Sequence, residues 1–202
     1  MVVVIPCHDE PDLAGSLASL HECDRPDGAV EVIVVLNAER LSSVIAQNVR
    51  SREEADRWYA ALADPWFGLH LIDANDLPPK HAGVGLARKI GMDEAVRRLT
   101  EAGTAEEGVI VCYDADCRCD QNLLSEIGAF FAGHPKAPGC SVHFEHPLAG
   151  DMEAKVYEAI AQYELHLRYH VEACRWAGHP FAYHTIGSSM AVRTGAYMKQ
   201  GG

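Results

Sequence analysis

Apolar positions along the chain fall into short unbroken runs separated by longer stretches with helical spacing. Val2 to Ile5 is the first run and Pro6 closes it, which predicts a buried, parallel strand. Leu13, Leu17 and Leu20 then recur at helical spacing, so a helix is predicted from Leu13 to about Cys23, with Asp12 as its cap. After a turn at Arg25-Pro26-Asp27-Gly28, Glu31 to Leu36 is a second strand that stops at Asn37-Ala38-Glu39. Strand, helix and strand at this spacing make a right-handed βαβ unit. Leu41 to Leu62 is a charged helix with Trp58 and Tyr59 for packing, and Gly68 to Ile72 is a third strand. Asp73 to Pro79 is a loop with two prolines, and a glycine-bearing segment from Lys80 to Gly91 leads into a helix ending near Leu99. Val109 to Tyr113 is a fourth strand and Asn122 to Phe131 a helix. Cys140 to Phe144 is a further short strand, and Asp151 to Trp176 is the longest helical pattern. Its stripe of Met152, Val156, Ala159, Ile160, Tyr163 and Leu167 is expected in the core. Alternating strands and helices predict an α/β, Rossmann-like fold, a mostly parallel sheet flanked by helices.

Composition narrows the class. The 202 residues are enough for one domain with a full core, so residues 1–202 are taken as a single unit. Lys and Arg number 17 against 29 Asp and Glu, a net charge of −12 that argues against nucleic acid as the main partner. A nucleotide stays compatible, because a bound metal offsets local charge. No apolar run suits a transmembrane segment, and Met1-Val-Val-Val-Ile5 lacks the basic flank of a signal peptide. Seven cysteines without a Cys-x-x-Cys pair, although Cys112, Cys117 and Cys119 lie close together, point to reduced thiols and a cytoplasmic setting rather than structural zinc.

The candidate chemistry sits where strands end. The fourth strand runs into Asp114-Ala115-Asp116, and carboxylates at i and i+2 share one side if the chain stays extended. Ligands of open α/β sheets bind at the carboxyl ends of the strands. Paired carboxylates there suit a hard divalent cation, Mn2+ or Mg2+, with phosphate oxygens completing its shell. The alternative is that Asp114 and Asp116 cap the following helix. Gly83 and Gly85 open the next candidate: glycine there lets backbone approach a phosphate at a helix N-terminus. Arg88 and Lys89 in the first turn oppose the helix dipole, which makes more sense if an anionic ligand lies nearby; the alternative is a plain loop-to-helix junction with surface basic residues. Gly187-Ser188-Ser189 could offer hydroxyls and N–H groups to a polar ligand, or be a plain turn. His166 and His170, at i and i+4, and His143 with His146 have metal-capable spacing but no acidic residue placed to complete a zinc motif.

Taken in order, these segments resemble the family 2 glycosyltransferases of the nucleotide-sugar-binding GT-A fold. Val4-Ile5-Pro6-Cys7-His8-Asp9-Glu10 matches the family's opening strand and loop. Asn37 and Glu39 stand where the second strand usually ends in an acidic residue, and Gly83 to Lys89 matches a glycine and Arg–Asn element with Lys89 in place of Asn. Asp114-Ala115-Asp116 matches the Asp-x-Asp, and Gly187 to Gly202 a glycine-rich acceptor-side strand ending in Gly-Gly. The resemblance implies a metal-dependent transfer of a sugar from a nucleotide-sugar donor to a saccharide or other hydroxyl acceptor, with inversion. It implies that Pro6, His8, Glu10 and Asn37 border the base and ribose, and that Lys80, Gly83 and Arg88 lie near base and phosphates. Asp114 would contact ribose or metal, Asp116 would ligate Mn2+ or Mg2+, and Gly187, Ser188 and Ser189 would face the acceptor. The family's catalytic base follows the Gly-Gly and would fall beyond Gly202, so the chain is read as incomplete at its C-terminus. On that reading a donor-binding domain without turnover is the first alternative. A sugar-nucleotidyltransferase fits less well, since an acidic Cys7-His8-Asp9-Glu10 stands where that class carries a basic glycine-rich loop. A non-enzymatic interaction domain leaves the strand-end carboxylates unexplained.

Overall fold

The computed structural model describes residues 1–202. Elements alternate as the apolar pattern predicts: β1 (Val2–Cys7), α1 (Leu13–His21), β2 (Glu31–Glu39), α2 (Ile45–Ala60), β3 (Gly68–Leu77), α3 (Val84–Glu101), β4 (Val109–Cys112), α4 (Leu123–Gly133), β5 (Gly139–Ser141), α5 (Ala154–Trp176), β6 (Met190–Arg193) and α6 (Thr194–Lys199). The chain divides into two compact units, one of Met1–Cys140 with Met190–Gly202 and one of Ser141–Ser189.

The first unit is built on a sheet of order β3-β2-β1-β4-β6-β5. β1 pairs in parallel with β2 and β4, β2 with β3, and β6 runs antiparallel to β4. This is the α/β, mostly parallel sheet flanked by helices. The inner strands carry unbroken apolar runs, Val2 to Cys7, Val32 to Leu36 and Val109 to Cys112, because both of their faces are covered. One face gathers Val2, Val4, Ile33, Val35 and Ile110 against Ala87, Met92, Ala95 and Leu99 of α3. Gly91 lets α3 approach the sheet: a Cβ there would stand 2.4 Å from Val4 Cγ1 and 3.1 Å from Val35 Cγ2. Asp12 caps α1 as expected, its carboxylate accepting from Gly15 N–H at 3.2 Å.

Several boundaries differ from the sequence pattern. β1 continues through Pro6 to Cys7, paired with Leu36. Its register with β4 ends at Val4, and the Tyr113 N–H bonds the Val4 carbonyl beyond it. Pro6 therefore lies past the β4 ladder, where a missing N–H costs no strand bond. β2 and β3 run on to Glu39 and Leu77 because each is the other's partner, through an irregularity between Asn37 and Glu39. Gly201 and Gly202 follow helix α6 rather than a strand, both at positive φ.

The second unit contains one helix, α5, and, after Ser141 at the end of β5, otherwise turns and irregular chain. The stripe expected in the core is not buried: Met152, Val156 and Tyr163 are 49%, 39% and 52% exposed. A lone helix in a unit of this size has no second apolar face to bury against. Its one buried residue is Glu164.

Candidate functional site

Parallel strands deliver their carboxyl ends to one edge of the sheet, and the loops after β1, β2 and β4 meet there. After buried Pro6, the loop carries His8, Asp9 and Glu10. The His8 Nδ1–H donates to the Asn37 carbonyl at 2.8 Å, which fixes the neutral tautomer and leaves Nε2 as an acceptor. Asp9 takes φ 56°, a left-handed conformation that Asp tolerates. Its N–H donates to Asn48 Oδ1 at 3.1 Å. Glu10 turns its carboxylate back to the Asp12 N–H at 2.8 Å, while the Ser51 hydroxyl donates to the Glu10 carbonyl at 2.5 Å.

Asn48 and Ser51 thus fasten this loop from α2, and both are fully buried. Asn48 Nδ2 also donates to the Asn37 carbonyl at 3.0 Å and to Asn75 Oδ1 at 2.7 Å. The sequence reading treated α2 as a solvated charged helix and missed this polar hub. A signal was there: Asn48, Ser51 and Ala55, the buried residues of α2, stand at i, i+3 and i+7 among the charges.

Asn37 is 1% exposed, and its Nδ2 donates to the Ala82 carbonyl at 3.1 Å. Its Oδ1 has no partner. Arg88 reaches from the second turn of α3 to the end of β4, where it donates to Asp114 Oδ1 at 2.7 Å. Its Nε is buried and also without a partner. Asp114 therefore supplies an anion for this early-helix cation. Lys89 instead pairs with Asp93 at 3.2 Å on the exposed side of α3. The N-cap of α3 is Gly83, which offers no side-chain bond, and no acidic residue stands in the first turn. A Cβ on Gly83 or Gly85 would meet nothing within 4 Å. The free N–H groups of the first turn are thus open to an anion. Lys80 is exposed in the turn before them.

The two carboxylates are not arranged as an extended strand would place them. β4 ends at Cys112, and the Cys117 N–H bonds the Asp114 carbonyl at 3.2 Å, closing a turn over Ala115 and Asp116. Ala115 is buried, Asp114 is tied to Arg88, and Asp116 is exposed with only the Cys117 thiol nearby at 3.8 Å. Neither caps α4, whose N-cap is Asn122. No group of three or more His, Cys, Asp and Glu side chains gathers to enclose a metal. The donor set fits a hard cation that takes one or two carboxylates and draws its remaining ligands from water and phosphate, the habit of Mg2+.

Gly187, Ser188 and Ser189 lie in the second unit, in the turn before β6. The Ser189 N–H bonds the Ile186 carbonyl at 3.1 Å, and its own carbonyl accepts from Val142 N–H at 2.7 Å. The same unit holds a cavity of about 420 Å³ lined by His146, Tyr163, His170, Phe181 and His184. Glu164 accepts from His146 N at 3.1 Å and Nδ1 at 2.6 Å. The hydrogen bond from His146 holds the Glu164 carboxyl below the usual carboxylate range. The sequence reading named neither Glu164 nor its pairing with His146.

No protein-family model matches the chain, and no curated protein sequence matches it. Solved structures do. A mannosyltransferase from Pyrobaculum calidifontis, PcManGT in complex with GDP-Man and Mn2+, superposes with a TM-score of 0.58 at 19% identity over 100% of this chain. S. aureus TarS, in complex with UDP-GlcNAc, superposes with a TM-score of 0.50 at 17% identity over 75% of this chain. The chain spans 46% of the length of the first and 36% of the second. At these identities the likeness is one of fold, and it agrees with the α/β architecture described above. No helix is long and apolar enough to cross a membrane.

Proposed function

We propose that this chain is a metal-dependent glycosyltransferase domain of the GT-A kind, moving a sugar from a nucleotide-sugar donor to an acceptor hydroxyl with inversion. The observation that carries the reading is a set of unmet polar groups at one strand edge. Asn37 Oδ1 and Arg88 Nε are buried without partners, Asp116 is exposed, and the N-terminus of α3 is open. An unpartnered buried group costs about 1–3 kcal/mol, so a ligand that satisfies both atoms gains that in affinity.

A nucleotide-sugar has the matching groups. The base and ribose offer N–H and O–H donors to Asn37 Oδ1 and to His8 Nε2, with Pro6 and Glu10 beside them. The diphosphate is an anion for Arg88, Lys80 and the N–H groups after Gly83. Asp114, held by Arg88, borders the ribose, and Asp116 is the free carboxylate for Mn2+ or Mg2+. When bound, such a cation supplies Lewis acidity that stabilises the departing diphosphate. Binding of GDP-Man by PcManGT and of UDP-GlcNAc by TarS supports this choice of donor class.

Isothermal titration of the chain with GDP- and UDP-linked sugars, with and without Mn2+, tests the reading. Asp116→Ala should weaken Mn2+-dependent donor binding by at least about tenfold, given that even indirect metal partners are worth 10–100-fold. Its melting temperature should not move, since Asp116 is exposed. Failure of every donor to bind, or binding indifferent to both Mn2+ and Asp116, overturns the proposal. A product assay on the same samples separates transfer from donor binding alone.

A further inference from the structure

We propose that Cys23 and Cys119 form a redox-active dithiol, a modification site at which a hydroperoxide oxidises Cys119 and Cys23 then closes an intramolecular disulfide. The two sulfurs are 3.6 Å apart although the residues are 96 positions apart in sequence. Cys23 lies just past the end of α1 and Cys119 in the segment between β4 and α4. The backbone already holds these segments together, the Asp24 N–H bonding the Gln121 carbonyl at 2.7 Å. A disulfide bond is about 2.05 Å long, so side-chain rotation has only about 1.5 Å to close.

The two thiols differ as an attacking and a resolving cysteine should. Cys119 is partly exposed, whereas Cys23 is 5% exposed. The hydrogen bond from Cys23 pulls the Cys119 thiol down to about 7, helped by the Ser19 and Tyr113 hydroxyls and opposed by burial and Asp120. Ser19 Oγ stands 3.7 Å from the Cys119 sulfur and 3.2 Å from the Tyr113 hydroxyl. Cys23 keeps the proton, and its own thiol is pushed well up by the same contact and by burial. A thiolate near neutral pH reacts fastest with an electrophile, and a neighbouring thiol then captures the product. Three other thiols shift the opposite way: burial pushes Cys7 up to about 12 and Cys112 to about 11, and burial beside Asp116 and Asp114 raises Cys117 to about 11.

The reaction balances with the peroxide as oxidant. The Cys119 thiolate attacks one peroxide oxygen, the O–O bond breaks, and the departing hydroxide takes a proton to become water. The resulting sulfenic acid is attacked at sulfur by Cys23. Its S–O bond breaks, and hydroxide leaves with the Cys23 proton as a second water. Two thiols lose two electrons and two protons, and one hydrogen peroxide becomes two waters.

The test treats the folded, reduced 202-residue chain with hydrogen peroxide at pH 7 and maps disulfides by mass spectrometry of unreduced peptides. A Cys23–Cys119 linked peptide, reversed by dithiothreitol, is expected. In Cys23→Ser, checked for folding by circular dichroism, Cys119 should instead accumulate as a sulfenic acid that dimedone traps. Separately, alkylation of the unmodified chain by iodoacetamide should show Cys119 reacting with a midpoint near pH 7 and well ahead of Cys140. Oxidation that links other cysteines or none, or Cys119 alkylating no faster than Cys140 at pH 7, overturns the proposal. Neither readout depends on what the carboxylate edge binds.

Discussion

The ion pair between Arg88 and Asp114 sets the shape of the strand edge, and its strength can be measured without knowing the ligand. The side chains are 15% and 34% exposed and meet at 2.7 Å. A hydrogen bond between charged groups is worth about 1.5–3 kcal/mol net, and water reaching the carboxylate places this one at about 1.5. Arg88→Met keeps the apolar stem and removes the donors; Asp114→Asn keeps the shape and removes the charge. Single-variant stabilities mislead here, because Arg88→Met also deletes the buried, unpartnered Nε and recovers part of the loss. A double-mutant cycle cancels that contribution and isolates the pair. Urea unfolding at pH 7 of the four proteins should give a coupling of about 1–1.5 kcal/mol. With a slope of about 1–3 kcal/mol per molar urea, that corresponds to a midpoint displacement of about 0.3–1.5 M. Additivity within about 0.3–0.5 kcal/mol would mean the contact carries no energy and would refute the account of how Asp114 is held.

Two other outcomes check the frame around the site. Gly91→Ala puts a methyl 2.4 Å from Val4 Cγ1 at the α3–sheet contact and should cost about 1–3 kcal/mol by overpacking, read as a lower urea midpoint; an unchanged midpoint contradicts the close approach. Glu164 is depressed below its ordinary 4.5 by the His146 hydrogen bond, so it stabilises the fold above pH 4.5 and loses that stabilisation as pH falls through its folded value. Melting temperatures of the parent and Glu164→Gln should therefore separate above pH 4.5 and converge at lower pH; parallel curves would show that Glu164 titrates as an unpaired carboxyl.

Much of this protein is legible along the chain, because the signals are local. Runs such as Val2–Ile5, Val32–Leu36 and Val109–Cys112 are apolar at every residue, which only strands covered on both faces require. Asp12 three residues before Gly15 is enough to announce a helix cap, and Asp114-Ala115-Asp116 after an apolar run announces charge at a strand end. Tertiary structure decided what depends on a distant partner. Pro6 stays in its strand because the ladder to β4 stops at Val4, and β2 and β3 lengthen because each supplies the other's ladder. Asn48 becomes the anchor of the His8–Glu10 loop, Arg88 finds Asp114, and Cys23 finds Cys119 across 39, 26 and 96 positions of sequence. The α5 stripe shows the converse: its period promised burial, yet Met152, Val156 and Tyr163 stay exposed. Periodicity and capping are settled by side chains within a turn or two of each other. Hydrogen-bond partners, ionisation and burial are settled by whichever segment folding brings alongside, and no stretch of sequence carries that information by itself.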